Sequence, residues 1–319
     1  MRFKNMTSKE KYIAWSNNQK KLPVFMQPWW LKAASYPFDW EAIVIENGNN
    51  IIAALPFTIR KKMGFNLIRN PHLTPFLNLC IDFPKDLSKQ NSLTFQKEVI
   101  NKVLSSLPSY HDLQIRLHPD LQYPLPFSWK GFKIDVRFTN QLKLSRRLDD
   151  IHQNFKPSLK RNLKKAEKIV TVNESNDAEE FYKLFSMTFS RQKKPTPYNL
   201  KTFLKINDAC CQQKSRKILI AKDKKNNIHA GIYLVWDKKF VYYLMGGSNP
   251  LFRNSQAISL LMWDAIQFTH KEKKSFDFEG SMIEPIERFF RSFGSSPKNY
   301  FQIKKSNSLL FKFRELINI

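Results

Sequence analysis

The run Lys217-Ile218-Leu219-Ile220-Ala221-Lys222, the turn Asp223-Lys224-Lys225-Asn226-Asn227 and the return Ile228-His229-Ala230-Gly231-Ile232-Tyr233-Leu234-Val235-Trp236 decide the fold. Two apolar, β-rich runs around a polar turn have the pattern of an antiparallel hairpin. The same plan occurs earlier in the chain. Trp40 to Glu46 leads into Asn47-Gly48-Asn49-Asn50, and Ile51-Ile52-Ala53-Ala54-Leu55-Pro56-Phe57 returns. The economical reading is one α+β domain used twice in tandem. A chain of 319 residues accommodates two domains of about 150 residues each. The boundary is expected between Leu144 and Asp150, giving residues 1–147 and 148–319.

Working outward in the first half, Phe25 to Ala34 reads as a short helical stretch with a double tryptophan, Trp29-Trp30. A helix is expected from about Asn91 to Ser106, with Phe95, Val99, Val103 and Leu104 on one face. Strands are expected at Asp112–Leu117 and Lys133–Phe138, separated by a loop containing Pro119, Pro124 and Pro126. In the second half, helices near Asp149–Val170 and Asp177–Gln192 precede the hairpin. Asp237-Lys238-Lys239 then turns into a strand, Phe240–Met245.

The segment Met245-Gly246-Gly247-Ser248-Asn249-Pro250-Leu251-Phe252-Arg253-Asn254-Ser255-Gln256-Ala257 ends that strand and opens a helix with an apolar stripe at Leu260, Leu261, Ala265 and Ile266. A polar loop at a helix N-terminus offers backbone N–H groups and a favourable dipole to an anion. Arg253 adds a fork suited to phosphate or carboxylate. The same pattern also serves as an ordinary strand-to-helix connection. Gly246, Gly247, Arg253, Asn254, Ser255, Gln256 and Ala257 are the candidate donor-binding residues.

Lys274-Ser275-Phe276-Asp277-Phe278-Glu279-Gly280-Ser281 reads as a strand that places Asp277 and Glu279 on one face. One of these carboxylates is a candidate general base for an attacking amine, its pKa raised by the other. A solvent-exposed strand end is the plainer alternative. A basic-aromatic helix, Ile286 to Gly294, comes next. Between Lys143 and Lys168, basic residues including Arg146 and Arg147 crowd the chain. A helix from about Ser158 would turn Leu159, Leu163 and Ala166 to the core. Lys160, Lys164 and Lys168 would form one outer stripe, with Arg161 and Lys165 beside it. Like charges at this spacing disfavour a helix, so an anionic partner would favour the stripe. A solvated face is the other reading.

Composition narrows the function classes. A 42% hydrophobic content with 27 Phe excludes disorder. No apolar run approaches the roughly 18 to 20 residues of a membrane helix, and the first residues lack the apolar segment of a secretory signal. Cys80 and the adjacent Cys210-Cys211 show no zinc spacing, and reduced thiols in a cytoplasm fit them best. Neither a metal site nor a tightly bound cofactor is expected. Walker, dinucleotide and EF-hand spacings are absent, and the six histidines form no nucleophilic arrangement. The net charge of +26 points to a polyanionic partner: nucleic acid, a phosphate-bearing cofactor or an anionic lipid surface.

Asn154 to Lys168, which contains Ser158-Leu159-Lys160-Arg161-Asn162-Leu163-Lys164-Lys165-Ala166, resembles a helix of the Fem-type transferases. Phe276-Asp277-Phe278-Glu279-Gly280-Ser281 followed by Ile286 to Gly294 resembles their late strand and aromatic segment, and Pro28-Trp29-Trp30 also recurs in that group. The resemblance implies two tandem GNAT-like domains, each a mixed sheet flanked by helices, with the donor site in the second. It further implies transfer of an aminoacyl or acyl group from aminoacyl-tRNA or acyl-CoA to an amine, such as that of a peptidoglycan precursor. The donor would lie between splayed strands Phe240–Met245 and Ser275–Glu279, with Asp277 or Glu279 near the acceptor and Lys160, Arg161, Lys164, Lys165 and Lys168 toward nucleic acid. The loop Arg253 to Ala257 lacks the glycines of CoA-binding members. An acyl-CoA-dependent N-acyltransferase of polysaccharide or envelope biosynthesis is the second reading. A non-catalytic tRNA- or membrane-surface-binding protein, touching the inner face of the membrane, is the third.

Overall fold

The structure, a computed structural model, describes residues 5–143, 147–280, 282–309 and 311. Arg146 of the basic stretch and Ser281 of the late strand lie outside them. The chain divides into two compact units, residues 1–137 with 299–319, and residues 138–298.

The first unit contains α1 (Ser8–Ser16), α2 (Pro28–Ser35), β1 (Asp39–Asn47), β2 (Asn50–Lys62), β3 (Phe65–Arg69), β4 (Cys80–Ile81), α3 (Lys89–Ser105), β5 (Asp112–Arg116), α4 (Leu125–Trp129) and the start of β6 (Lys133–Leu142). β1 and β2 form the expected hairpin, paired from Asp39↔Ile59 to Asn47↔Asn50 with a shift of register between Ile45 and Glu46. A second tight turn joins β2 to β3 through Met63 and Gly64, both at positive φ, which matches the twist of the flanking strands. β3 and β5 pair in parallel over Leu67–Arg69 and Asp112–Gln114. The C-terminal strand, Ser296–Ser306, lies antiparallel to β5. Pro28 opens α2 at its first position, where no N–H is needed. Of the tryptophan pair, Trp30 is wholly buried and its indole N–H donates to Thr74 Oγ1 at 2.9 Å.

The second unit takes the end of β6, then α5 (Leu148–Gln153), α6 (Pro157–Glu167), β7 (Val170–Ser175), α7 (Ala178–Arg191), α8 (Leu200–Gln212), β8 (Arg216–Asp223), β9 (Ile228–Trp236), β10 (Phe240–Ser248), α9 (Ala257–Lys271), β11 (Ser275–Asp277) and α10 (Glu284–Arg291). Its sheet order is β6-β11-β10-β9-β8-β7. Every contact is antiparallel except β10 with β11. The stripe of α9 and the inner face of α6, Leu159, Leu163 and Ala166, share one core with Ile232, Leu234 and Phe276. The helix expected across Asp149–Val170 is two helices. Pro157 lacks an N–H and starts a new helix at its first position.

The division at 147/148 gives way to one at 137/138, with the last strand returned to the first unit. Hydrogen-bond partners decide this, not adjacency in sequence. Leu142 and Gln141 of β6 pair with Phe276 and Asp277, while Gln302 to Ser306 pair with Arg116 to Asp112. Among the described residues no helix is long and apolar enough to cross a membrane. All three cysteines are free, and burial pushes the Cys80 and Cys210 thiols up to about 12.

Candidate active site

The site begins where two strands part. β10 and β11 are bonded only at Phe240↔Ser275, Val241↔Phe276 and Tyr242↔Asp277. β10 then continues to Ser248 against β9, with a bulge between Tyr243 and Met245, and β11 stops. The stop has a local cause. The Asp277 carboxylate accepts the N–H of Glu279 at 2.8 Å, two residues on, which closes a side-chain turn. Glu279 takes a left-handed φ of 56°. At Gly280 an added Cβ would collide with the Phe138 carbonyl, so glycine is required at this close approach.

A groove of about 600 Å³ lies in the gap. Tyr243 to Ser248 form one wall, Phe278 to Gly280 the other, and Phe185, Phe189, Ile286, Phe289 and Phe290 cover it. Its lining is predominantly apolar, as expected for a channel that holds a chain-like group. Gly246 and Gly247 both border the groove. At Gly247 a Cβ would meet the backbone of Leu184 and Phe185 at 2.5 to 2.6 Å, so this glycine lets α7 lie against the strand.

Asp277 and Glu279 do not share a face, because the strand ends between them and its period-two geometry ends with it. Asp277 is 0% exposed. Its Oδ1 accepts from Thr139 Oγ1 at 2.5 Å and from Glu279 N, and its Oδ2 accepts from Gln141 Nε2 at 2.9 Å. Burial raises it to about 6 against these three donors. It fixes the β6 edge and the Glu279 turn, and it borders none of the three cavities described in this unit. Glu279 borders the groove. The neighbouring Tyr243 hydroxyl is pushed up, first by burial and then by the Glu279 charge. Of the two carboxylates Glu279 borders the groove, and Asp277 holds the Glu279 backbone in its turn. Sequence spacing could not reveal Thr139 and Gln141, which reach Asp277 only through the β6–β11 pairing.

A second cavity, about 460 Å³, opens at the N-terminus of α9 and is bordered by Arg253, Asn254, Ser255, Gln256, Ala257 and Ser259 among others. Gln256 precedes the helix at a φ of 61° and provides no side-chain cap. Of the first-turn N–H groups, which lack the i−4 acceptors of a helix interior, that of Ser259 donates to the Gln256 carbonyl at 2.9 Å. Gln256 thus supplies the left-handed turn that a glycine-rich loop would supply, at a cost of about 1 kcal/mol. The lack of glycine in this segment does not prevent that loop shape. Ile258, Ser248 and Phe289 border both this cavity and the groove, so the two lie side by side.

Of the basic helix, Arg161, Lys164, Lys165 and Lys168 are exposed, and no ion pair among the described residues includes them. Lys160 differs, because its ammonium donates to the Gln153 carbonyl at 2.8 Å. The stripe is on a different surface element from the two cavities and borders neither. No cluster of three or more His, Cys, Asp or Glu residues that could hold a metal occurs among the described residues. Sequence reading passed over His229 and Tyr243 as ordinary strand residues. No local signal marked them, because the cavities form only when β9, β10 and α9 come together.

Residues 153–282 match the family model described as "Acetyltransferase (GNAT) domain". The whole fold is similar to a FemX crystal structure, with a TM-score of 0.67 at 12% identity, covering 92% of this chain and 95% of that one. It is also similar to a tandem GNAT protein from the clavulanic acid biosynthesis pathway, with a TM-score of 0.54 at 10% identity, covering 85% and 84%. L-PGS from Bacillus licheniformis gives a TM-score of 0.52 at 11% identity, covering 98% of each chain. No curated protein matches the chain in sequence. The fold is of the GNAT type, in a tandem arrangement similar to that of FemX and the tandem GNAT protein.

Proposed function

We propose that the second unit transfers an acyl group from a coenzyme A thioester to an amine, with Glu279 as the general base. The observation that carries this reading is an apolar groove that shares Ser248, Ile258 and Phe289 with a cavity at the N-terminus of α9, where no side chain caps the helix. A donor with phosphates at one end and an acyl-bearing arm at the other suits that pair of spaces. The phosphates would meet Arg253 and the first-turn N–H groups, and the arm would follow the β10 edge that faces no strand beyond Tyr242. That edge supports N–H contacts to the reacting carbonyl. The amine nitrogen bonds to the carbonyl carbon, the C–S bond breaks, Glu279 accepts the amine proton, and the thiolate leaves and is protonated.

A specific observation favours a second donor. Arg161, Lys164 and Lys165 on α6 and Lys168 just after it, all exposed and in no ion pair among the described residues, suit an aminoacyl-tRNA together with the net charge of +26. In that case the acceptor would be the amine of an envelope precursor, and the C–O ester bond would break in place of C–S. Binding of acetyl-CoA and of bulk charged tRNA, each across a salt series, separates the two. Saturable coenzyme binding with weak tRNA binding supports the thioester. Tight tRNA binding with a steep salt slope and no coenzyme binding overturns it in favour of aminoacyl transfer.

A further inference from the structure

Tyr243 is the first residue of β10 beyond the three pairs that hold this strand to β11, and it lines the groove. The bulge at Leu244 decides where its side chain goes. Tyr243 is opposite Leu234 and Gly246 is opposite Ile232, and both partners belong to the core shared with α9. Residues three apart on a regular strand point to opposite faces, whereas the extra residue of the bulge puts Tyr243 and Gly246 on one face. The ring therefore runs along the strand toward Gly246. A Cβ built on Gly246 would collide with the Tyr243 hydroxyl, so the missing side chain is the notch that the hydroxyl occupies. Phe290 meets the ring edge to face, with centroids 6.0 Å apart.

This hydroxyl takes part in no hydrogen bond among the described residues. It is not sealed off. Tyr243 is half-buried and borders the groove, unlike the Asn140 carboxamide, whose two polar atoms are enclosed. A largely buried O–H without an acceptor is unfavourable, and an acceptor held in the groove removes that penalty. The rest of the lining offers few equivalents. Its other side-chain hydroxyls among the described residues are Thr188 and Ser248, and Thr188 Oγ1 already accepts from Ser248 N at 3.4 Å, at the end of the β10 wall. On the facing wall Glu279 is near enough for its charge to raise Tyr243 further, after burial has raised it first. Both effects keep the phenol protonated, so it acts as a hydrogen-bond donor and not as a source of protons.

We propose that Tyr243 is a catalytic residue whose hydroxyl donates a hydrogen bond to the carbonyl oxygen of the donor thioester and to the oxyanion formed from it. This rests on the thioester reading of the groove and adds to it a side-chain donor beside the β10 edge. As the amine nitrogen bonds to the carbonyl carbon, the C=O electron pair moves onto oxygen. The phenol O–H meets that charge and keeps its own proton. When the pair returns, the C–S bond breaks, and the departing thiolate takes a proton from solvent. Glu279 accepts the amine proton on the facing wall. The two walls thus divide the work, with an acceptor for the nitrogen and a donor for the oxygen. In a predominantly apolar lining one such donor is worth more than it is in water.

Isotope-edited infrared spectroscopy of acetyl-CoA, labelled with carbon-13 at the thioester carbonyl and bound to the full chain, tests this without an acceptor. A hydrogen bond from Tyr243 lowers the carbonyl stretch. Tyr243→Phe keeps the ring and its contact with Phe290, and should raise that stretch. Calorimetry on the same two proteins should show acetyl-CoA bound about fivefold more weakly by the variant, as for loss of one neutral hydrogen bond. Affinity for coenzyme A, which has no thioester carbonyl, should stay the same. Equal carbonyl frequencies in the two proteins, or equal weakening of both ligands, overturns the inference and leaves the donor site standing. A wild-type chain that binds neither ligand overturns the inference and the thioester reading together. Should Tyr243→Phe fold poorly, carbon-13 spectra of the wild-type tyrosines give an independent reading. The hydroxyl-bearing ring carbon of Tyr243 should shift on adding acetyl-CoA and not on adding coenzyme A, and the same response to both contradicts the assignment.

Discussion

Each unit contains one pair of parallel strands in an otherwise antiparallel sheet, β3 with β5 in the first and β10 with β11 in the second. The chain treats the end of each pair differently. After β3, residues 70–77 fold back over the end of the pair. Asn70 is 5% exposed, and its carboxamide stands in for a strand residue: Oδ1 accepts from Arg116 N at 2.9 Å and Nδ2 donates to Arg116 O at 3.2 Å. Leu77 N reaches the same carbonyl, Arg116 Nη2 donates to the Thr74 carbonyl, and Phe76 and Leu77 are buried. After β10 the chain passes through a 3-10 helix, Pro250–Ser255, into α9 and does not fold back over the end of the pair, and the corresponding space is the groove. One repeated plan thus gives a sealed end and an open one. The difference lies in the segment that succeeds the first strand of the pair: a buried, internally bonded loop or a helix N-terminus.

The largest expected effect comes from the open end. Glu279→Gln should reduce acyl transfer by about a hundredfold or more, the usual contribution of a general base, with no change in circular dichroism. Asn70→Ala, at the sealed end, should leave kcat/KM unchanged. If Asn70→Ala abolished turnover and Glu279→Gln did not, the assignment of roles to the two units would be reversed.

Smaller effects concern stability. Gly247→Ala forces a Cβ against the α7 backbone and should lower unfolding free energy by about 1 to 3 kcal/mol in urea titration. Asn70→Ala leaves a buried N–H and C=O at Arg116 with fewer partners and should cost about 1 to 3 kcal/mol by the same measurement. A negligible change for either would mean that the contact is not retained in solution.

The smallest effect is a pH dependence. Asp277 has a folded pKa of about 6 against an ordinary 3.8, so the folded state holds that proton more tightly than the unfolded chain. The stability it contributes is greatest below about pH 4 and declines as pH rises toward 6. Asp277→Asn should therefore gain on the wild type across that interval, judged by urea midpoints at its two ends. A loss relative to wild type as pH rises would give Asp277 the opposite sign.

Much of the architecture could be read from the sequence, because it rests on local signals. Both hairpins were legible as apolar runs around Asn-rich turns, and the inner faces of α6 and α9 as helical periodicity. α8 was not recognised, although Asn199 caps it through Thr202 N, nor was the C-terminal strand, whose Lys-rich run gives little apolar alternation. The unit boundary was misread because β6 and the last strand take their partners at long range. At the site, the loop Arg253–Ala257, Gly246, Gly247 and Glu279 were legible as strand, turn and helix chemistry. His229, Tyr243 and the Thr139–Asp277–Gln141 bonding were not, since they acquire meaning only from strands distant in sequence.

The sharpest test of a donor site at the open end is hydrogen exchange of the full chain, with and without saturating coenzyme A. A donor held there should add protection in 243–248 and 254–259, the wall of the groove and the start of α9, and leave residues 70–77 unchanged. Protection confined to the first unit, or absent from both segments of the second, would contradict it.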